Sequence, residues 1–119
     1  METKPVMTLD EILLMQLEGK LNTKNDWNNL CINYILSGQI IEKYKDKMDW
    51  NYISVYQQLS ESFIDKYNDK VNWYYISQYQ KLSEPFIDRY QDKVDWYYIF
   101  ECQNLSNEFK EKYKWELYY

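Results

Sequence analysis

Catalysis needs side chains that move protons, hold metals or attack electrophiles, and this sequence has few of them. Histidine is absent, which removes every His-based general base, triad and zinc ligand. Cys31 and Cys102 stand at unrelated points of the chain. A thiol nucleophile here would lack its usual histidine, and two isolated cysteines do not build a structural zinc site. The two glycines, Gly19 and Gly38, are too far apart for G-x-x-x-x-G-K and too few for G-x-G-x-x-G.

Carboxylates and aromatics are left. Asp46, Asp69 and Asp92 recur before Lys47, Lys70 and Lys93. A metal or acid–base centre is one constellation, whereas this pair is copied along the chain. The pairs are therefore expected to cap helices or to tie neighbouring segments together. The D-x-D-x-D-G calcium loop is also missing. No catalytic residue, metal or cofactor is expected. The aromatics number 14 Tyr, 5 Trp and 4 Phe, which argues against intrinsic disorder.

The elements that position these aromatics follow from a repeat. Trp27, Trp50, Trp73 and Trp96 are each 23 residues apart. The same step carries Leu36, Leu59, Leu82 and Leu105, then Ser37, Ser60, Ser83 and Ser106, then Tyr44, Tyr67, Tyr90 and Tyr113. A further apolar column holds Ile40, Phe63, Phe86 and Phe109. Such an array buries each unit against its neighbours.

Each unit carries two helix starts. Asp26, Asp49, Asn72 and Asp95 precede the tryptophans as N-caps. The serine column begins a second helix, with leucine before it and an apolar residue four positions inside, a hydrophobic staple. Pro85 falls in a first turn, where its missing donor does no harm. In the second segment Phe86, Ile87, Tyr90 and Val94 cover an arc of about 100°. In the first, Trp73, Tyr75, Ile76, Tyr79 and Leu82 spread over roughly 180°. The broad helix is expected to be wedged between neighbours and the narrow one to keep a solvated side.

The prediction is an all-α solenoid, a short array of helix-turn-helix repeats with helices of about 8–10 residues. Four helical pairs follow one extra N-terminal helix. A rival reading makes 94–99 a strand, because its aromatics suit β structure, and the array a β/α horseshoe. Against it, Asn28 and Asn29 stand where the first strand should be strongest.

The domain divides into an N-terminal cap or half unit (1–25), repeats at 26–48, 49–71, 72–94 and 95–113, and a C-terminal tail (114–119). In the cap, Leu13, Leu17 and Leu21 are aligned with the Leu, Phe and Tyr columns. Glu18 and Lys110 then replace the apolar residue of the Ile41, Ile64 and Ile87 column, as befits ends without a neighbour. On that ground the array is read as complete.

Net charge is −5, with −1 in residues 1–48 and −4 in 49–119. Direct binding to nucleic acid or to anionic membranes is disfavoured, since both need basic patches. The longest unbroken apolar run, Trp96 to Phe100, is too short to span a bilayer. No secretory leader is visible, and the cysteines do not form a disulfide framework. A cytoplasmic, reducing location is expected. The absence of alanine, the single Arg89 and the 13 Lys, 10 Asn and 10 Ile point to an AT-rich genome.

The stretch 72–87, N-W-Y-Y-I-S-Q-Y-Q-K-L-S-E-P-F-I, resembles the D-W-x-x-I-S-x-x-x-x-L-S-E-x-F-I repeats of proteins from large DNA viruses, phages and AT-rich bacteria. The resemblance covers roughly residues 26–113. It implies an uncharacterised repeat module, often assumed to mediate protein interactions.

Function is then expected where the units differ. One residue past each Trp stand Asn28, Asn51, Tyr74 and Tyr97, and five past it Ile32, Val55, Gln78 and Glu101. Protein-binding is assigned to Asn51, Tyr74, Gln78, Tyr97 and Glu101, since tyrosine gives contact area and a hydrogen bond at low entropic cost. The expected activity is a non-enzymatic protein-binding module, and its finer form a viral or phage antagonist that occupies a host protein. Two alternatives stand beside it. One is a self-assembling structural protein, favoured by Trp115, Tyr118 and Tyr119. The other is an acidic decoy that inhibits a host nuclease.

Overall fold

The structure is a computed structural model and describes residues 4–118. Among the described residues nine α-helices follow one another: α1 (Leu9–Leu17), α2 (Lys24–Asn33), α3 (Gly38–Tyr44), α4 (Trp50–Tyr56), α5 (Glu61–Lys66), α6 (Trp73–Tyr79), α7 (Glu84–Arg89), α8 (Trp96–Cys102) and α9 (Asn107–Tyr113). Short 3₁₀ turns occupy Lys45–Lys47 and Lys114–Tyr118. Among the described residues the only β feature is an isolated bridge between Val6 and Ile35. Residues 94–99 enter a helix, so the horseshoe alternative is excluded. The helices α2, α4, α6 and α8 stack in sequence. The result is elongated, 54 × 29 × 21 Å with a radius of gyration of 16.4 Å, against about 13–14 Å for a compact domain of this length.

Local chemistry explains each element. The serine column caps all four second helices: Ser37, Ser60, Ser83 and Ser106 each accept from the backbone N–H three residues on. Asp49, Asn72 and Asp95 cap the first helices as expected. Asp26 does not. Thr23 caps α2, and Asp26 is its partner in a capping box, which starts this helix earlier and makes it ten residues long. The other paired helices are shorter than expected, six or seven residues. Each repeat must also fit two connections. After the second helix, one carbonyl closes the turn by accepting twice: Tyr67 O from Lys70 N and Val71 N, and Tyr90 O from Lys93 N and Val94 N.

Two isoleucine columns form the spine. Ile53, Ile76 and Ile99 in the first helices and Ile41, Ile64 and Ile87 in the second are fully buried. Around them each Trp packs on the Tyr of its own unit, with centroids 4.7, 5.2, 4.9 and 4.4 Å apart from unit one to unit four. Such tilted and stacked pairs add to simple burial. The indole N–H of Trp73 and of Trp96 donates to the carbonyl of Asn68 and of Gln91, at 2.8 and 3.1 Å.

The N-terminal register differs from the sequence reading. Leu13 and Leu17 are exposed, and the buried residue of α1 is Ile12. Thr8 caps α1 as Ser37 caps α3, so Met7, Ile12 and Met15 occupy the Leu36, Ile41 and Tyr44 columns. The step from α1 to α3 exceeds the repeat period because α2 is longer. Leucines spaced by four along α1 imitated the column, but they lie on its outer side. Glu18 therefore does not stand in the isoleucine column, whereas Lys110 does and is exposed.

Candidate protein-binding face

The units are held together by polar groups, and the face is what these leave free. Gln57, Gln80 and Gln103 follow the last residue of α4, α6 and α8. Each turns back onto the preceding unit. The Gln80 amide accepts from Leu59 N (2.9 Å) and donates to the carbonyls of Ser54 (2.9 Å) and Gln57 (2.6 Å). Gln57 does the same with Leu36, Cys31 and Tyr34, and Gln103 with Leu82, Ser77 and Gln80. Unit one has Tyr34 in this column. Beside the clamp, buried Ser54 and Ser77 accept from the backbone N–H of Asn72 and Asp95 in the next unit. Cys31 replaces serine in unit one, and buried Asn28 accepts from Asp49 N instead, at 2.9 Å. Asn28 is thus a structural residue.

The second helices are joined by charge. Glu42 accepts from the Tyr67 hydroxyl and pairs with Lys66 at 2.9 Å. Asp65 accepts from Tyr90 and pairs with Arg89 at 3.1 Å. Asp88 accepts from Tyr113 and pairs with Lys112 at 2.9 Å. The tyrosine hydroxyls first, and the ammonium groups second, hold the Glu42 and Asp88 carboxyls below their usual range. The phenols of Tyr67 and Tyr90 are raised by the carboxylates they face, and that of Tyr113 by burial and then by Asp88. Glu61 and Glu84 reach forward to the N–H and hydroxyl of Ser83 and Ser106. The Asp46, Asp69 and Asp92 column takes neither role expected of it. Those residues are exposed in the turns, and among the described residues their side chains make no hydrogen bond or ion pair.

The thiols offer little chemistry. Both cysteines are free; burial raises the Cys31 thiol to about 11, and Cys102 is exposed. Among the described residues, no group of three or more acids and cysteines is placed to hold a metal. No helix there is long and apolar enough to cross a membrane.

The outer side of α4, α6 and α8 carries the tyrosines. Tyr74 and Tyr97 are 45% and 60% exposed. They are joined through Tyr98: Tyr74 and Tyr98 share a hydroxyl–hydroxyl bond of 2.9 Å with rings edge to face at 4.9 Å, and Tyr97 meets Tyr98 at 5.1 Å. That bond raises the Tyr98 phenol to about 12. Asn51 is exposed at the start of α4, and its carbonyl oxygen accepts from the Asn72 amide at 2.7 Å. Gln78 is half-buried and Glu101 exposed, one helical turn beyond Tyr74 and Tyr97.

Tyr52, Tyr56, Tyr75 and Tyr79 belong to the same face, although repeated tyrosines read as core in the sequence. Tyr56 and Tyr79 are 42% and 53% exposed. The 180° arc of the first helices is therefore only partly wedged: its isoleucines are buried and many of its tyrosines show. The available signal was one tyrosine four residues after another with isoleucine between, as in Tyr75-Ile76 and Tyr79. Compared with protein-family models, curated proteins and solved structures, the chain has no match.

Proposed function

We propose that this chain is a non-enzymatic protein-binding module that holds its partner on the outer side of α4, α6 and α8. One observation carries the reading: a row of half-exposed and exposed tyrosines runs from Tyr52 on α4 to Tyr97 on α8, on helices held in register by buried glutamine clamps. Rigid aromatic side chains on a fixed scaffold are good interface anchors. A buried, raised thiol at Cys31 and carboxylates already paired with the next unit give little support to catalysis. The reading extends to a viral or phage antagonist of a host protein on the repeat resemblance alone, acting in a reducing compartment such as the cytoplasm, which suits the two free thiols. An acidic decoy would have a row of free carboxylates at Asp46, Asp69 and Asp92, but each is followed by a lysine (Lys47, Lys70, Lys93) that offsets its charge, and Glu42, Asp65 and Asp88 are each engaged by a tyrosine and a base.

Affinity capture from cells of the source organism tests the proposal. Tyr74→Ala with Tyr97→Ala should lower partner recovery about ten-fold, with an unchanged circular dichroism spectrum, since a lost hot spot costs about 2 kcal/mol. Normal capture by that double variant, together with loss of capture by Lys110→Glu on α9, would show that the partner uses the second helices.

Self-assembly has its own supporting observation. Leu13, Leu14 and Leu17 on α1, and Trp115, Leu117 and Tyr118 after α9, are exposed at the two ends. Tyr119 lies outside the described residues. Sedimentation of the chain with and without 114–119 separates this reading: a concentration-dependent oligomer lost on truncation would favour it.

A further inference from the structure

Between α4 and α6 lies a groove of about 390 Å³ lined by Asn51, Tyr52, Val55, Tyr56, Tyr75 and Tyr79. Resting on the reading of this side as protein-binding, we infer that the groove accepts a proline-rich segment of the partner, held as an extended polyproline helix.

Three properties of the lining select that occupant. The first is charge. None of the six residues is an Asp, Glu, Lys or Arg, and along α4, α6 and α8 only Glu101 belongs to those types. A cation beside the groove, Lys4, lies 5.9 Å from the Tyr56 ring centre and is bonded to the Tyr56 carbonyl at 2.8 Å. A charged helix or a nucleic-acid strand would be desolvated here without a row of counter-charges. An uncharged segment avoids that penalty.

The second is shape. Tyr52 and Tyr56 stack along α4 with centroids 5.9 Å apart, and Tyr75 and Tyr79 run along α6 at 6.2 Å. Two aromatic ridges thus flank one trough. Flat pyrrolidine rings pack on such ridges, and polyproline segments dock in aromatic-lined grooves. An amphipathic helix would instead look for aliphatic pockets, and Val55 is the sole aliphatic residue of the lining. Strand addition needs a sheet edge, and the face is helical. The trough continues into a second depression of about 490 Å³ that shares Val55, Tyr56 and Tyr79 and reaches Gln58, Ser60 and Lys81. An extended segment therefore has room to run on.

The third is hydrogen bonding. A proline-rich backbone offers carbonyls and few N–H groups, so its surface must donate. Tyrosine hydroxyls donate. Asn51 lines the groove and uses its side-chain oxygen for Asn72, which leaves its amide N–H groups as the donors it can offer. A segment already in the polyproline form also loses less entropy on docking than a flexible one.

The test is a ¹⁵N–¹H NMR titration of the 119-residue chain with a blocked, uncharged proline-rich peptide of about ten residues. A Gly/Ser peptide of equal length, a short single-stranded DNA and an oligosaccharide serve as comparisons. The expected result is saturable binding tighter than about 1 mM, with shifts confined to α4, α6 and the residues after them. Tyr56→Ala with Tyr79→Ala should weaken it at least about ten-fold. The paired change to Phe keeps the rings, loses the donors and should fall between. Absence of saturation, equal binding by the Gly/Ser peptide, shifts on the second helices, or binding of DNA or sugar but not of the proline-rich peptide would each overturn the inference. The wider proposal is decided separately by the Tyr74 and Tyr97 capture experiment. A failed peptide titration with a positive capture result removes only the proline-rich chemistry.

Discussion

The first and second helices of each unit solve the same problem, joining one copy to the next, by opposite means. Along α4, α6 and α8 the joint is a neutral amide in a buried setting: Gln57 and Gln80 are 2% and 4% exposed, and each amide makes three hydrogen bonds, both N–H donors being used. Along α5, α7 and α9 the joint is a carboxylate between a tyrosine and a base, at the surface. A buried amide has no water to fall back on, so losing it leaves orphaned groups. A surface ion pair is screened and replaceable by water. The contrast predicts that cohesion sits mainly in the first-helix stack. It also explains why the tyrosines there can face outwards: the buried part of the joint is made by backbone and amide, and the outer side chains add only exposed bonds such as Tyr74–Tyr98 and Asn51–Asn72.

Removing a clamp should produce the largest effect. Gln80→Leu keeps the volume but leaves Leu59 N–H and the carbonyls of Ser54 and Gln57 without partners. Three orphaned groups at about 1–3 kcal/mol each suggest a loss of about 3–5 kcal/mol, a large share of the roughly 5–15 kcal/mol of a whole domain. Urea unfolding measures it. Gln103→Leu, at the last and half-buried joint, should cost less. A loss under about 1 kcal/mol at Gln80 would show that the clamp only decorates the stack.

Next in size comes the tryptophan column. Trp73 is half-buried, packs at a tilt on Tyr90 and donates to Asn68. Trp73→Ala should cost about 2–3 kcal/mol, below the usual range for a fully buried aromatic. Its ring packs within its own unit and only its N–H reaches the preceding one, whereas Gln80 acts wholly between two. If Trp73→Ala exceeds Gln80→Leu, packing within units outweighs the joints, and the comparison must be reversed.

The repeat, the serine caps, Pro85 in its first turn and the isoleucine spine were all legible in the sequence, because period and capping are local signals. The glutamine column was equally visible at positions 57, 80 and 103 but carries no local signal of its role, since its partners lie in the previous unit. Asp46, Asp69 and Asp92 misled for the converse reason: recurrence marks a repeated position, and this one is a solvated turn. The α1 register was lost because Leu13, Leu17 and Leu21 share the spacing of a core column, while Thr8 with Glu11, a capping box, held the correct frame. For the candidate face, variation between units found Tyr74 and Tyr97, which are exposed. It missed Tyr56 and Tyr79, because a repeated tyrosine was equated with a buried one. A phenol can pack one edge and still show its hydroxyl.

The smallest effect belongs to the charged joint, and pH isolates it. The folded values of Glu42 and Asp88 lie below their ordinary ones. Their contribution is therefore complete above the unfolded carboxyl pKa, about 4, and is lost as pH falls through the lower folded values. The phenols of Tyr67, Tyr90 and Tyr113 are raised. Their contribution is complete below about 10 and is lost as pH rises through the raised folded values. Asp88→Asn should consequently lower the melting temperature by a constant amount between about pH 5 and 9, roughly a quarter or less of the Gln80→Leu effect. Below about pH 4 the two proteins should converge, because the wild-type carboxyl becomes protonated and Asn mimics its neutral form. Tyr113→Phe should show the matching pattern at the alkaline end, separating from wild type at neutral pH and converging with it above about pH 10. A difference that persists unchanged at acid pH would assign Asp88 a packing role. A difference at neutral pH as large as that of Gln80→Leu would make the surface ladder an equal partner of the buried clamp.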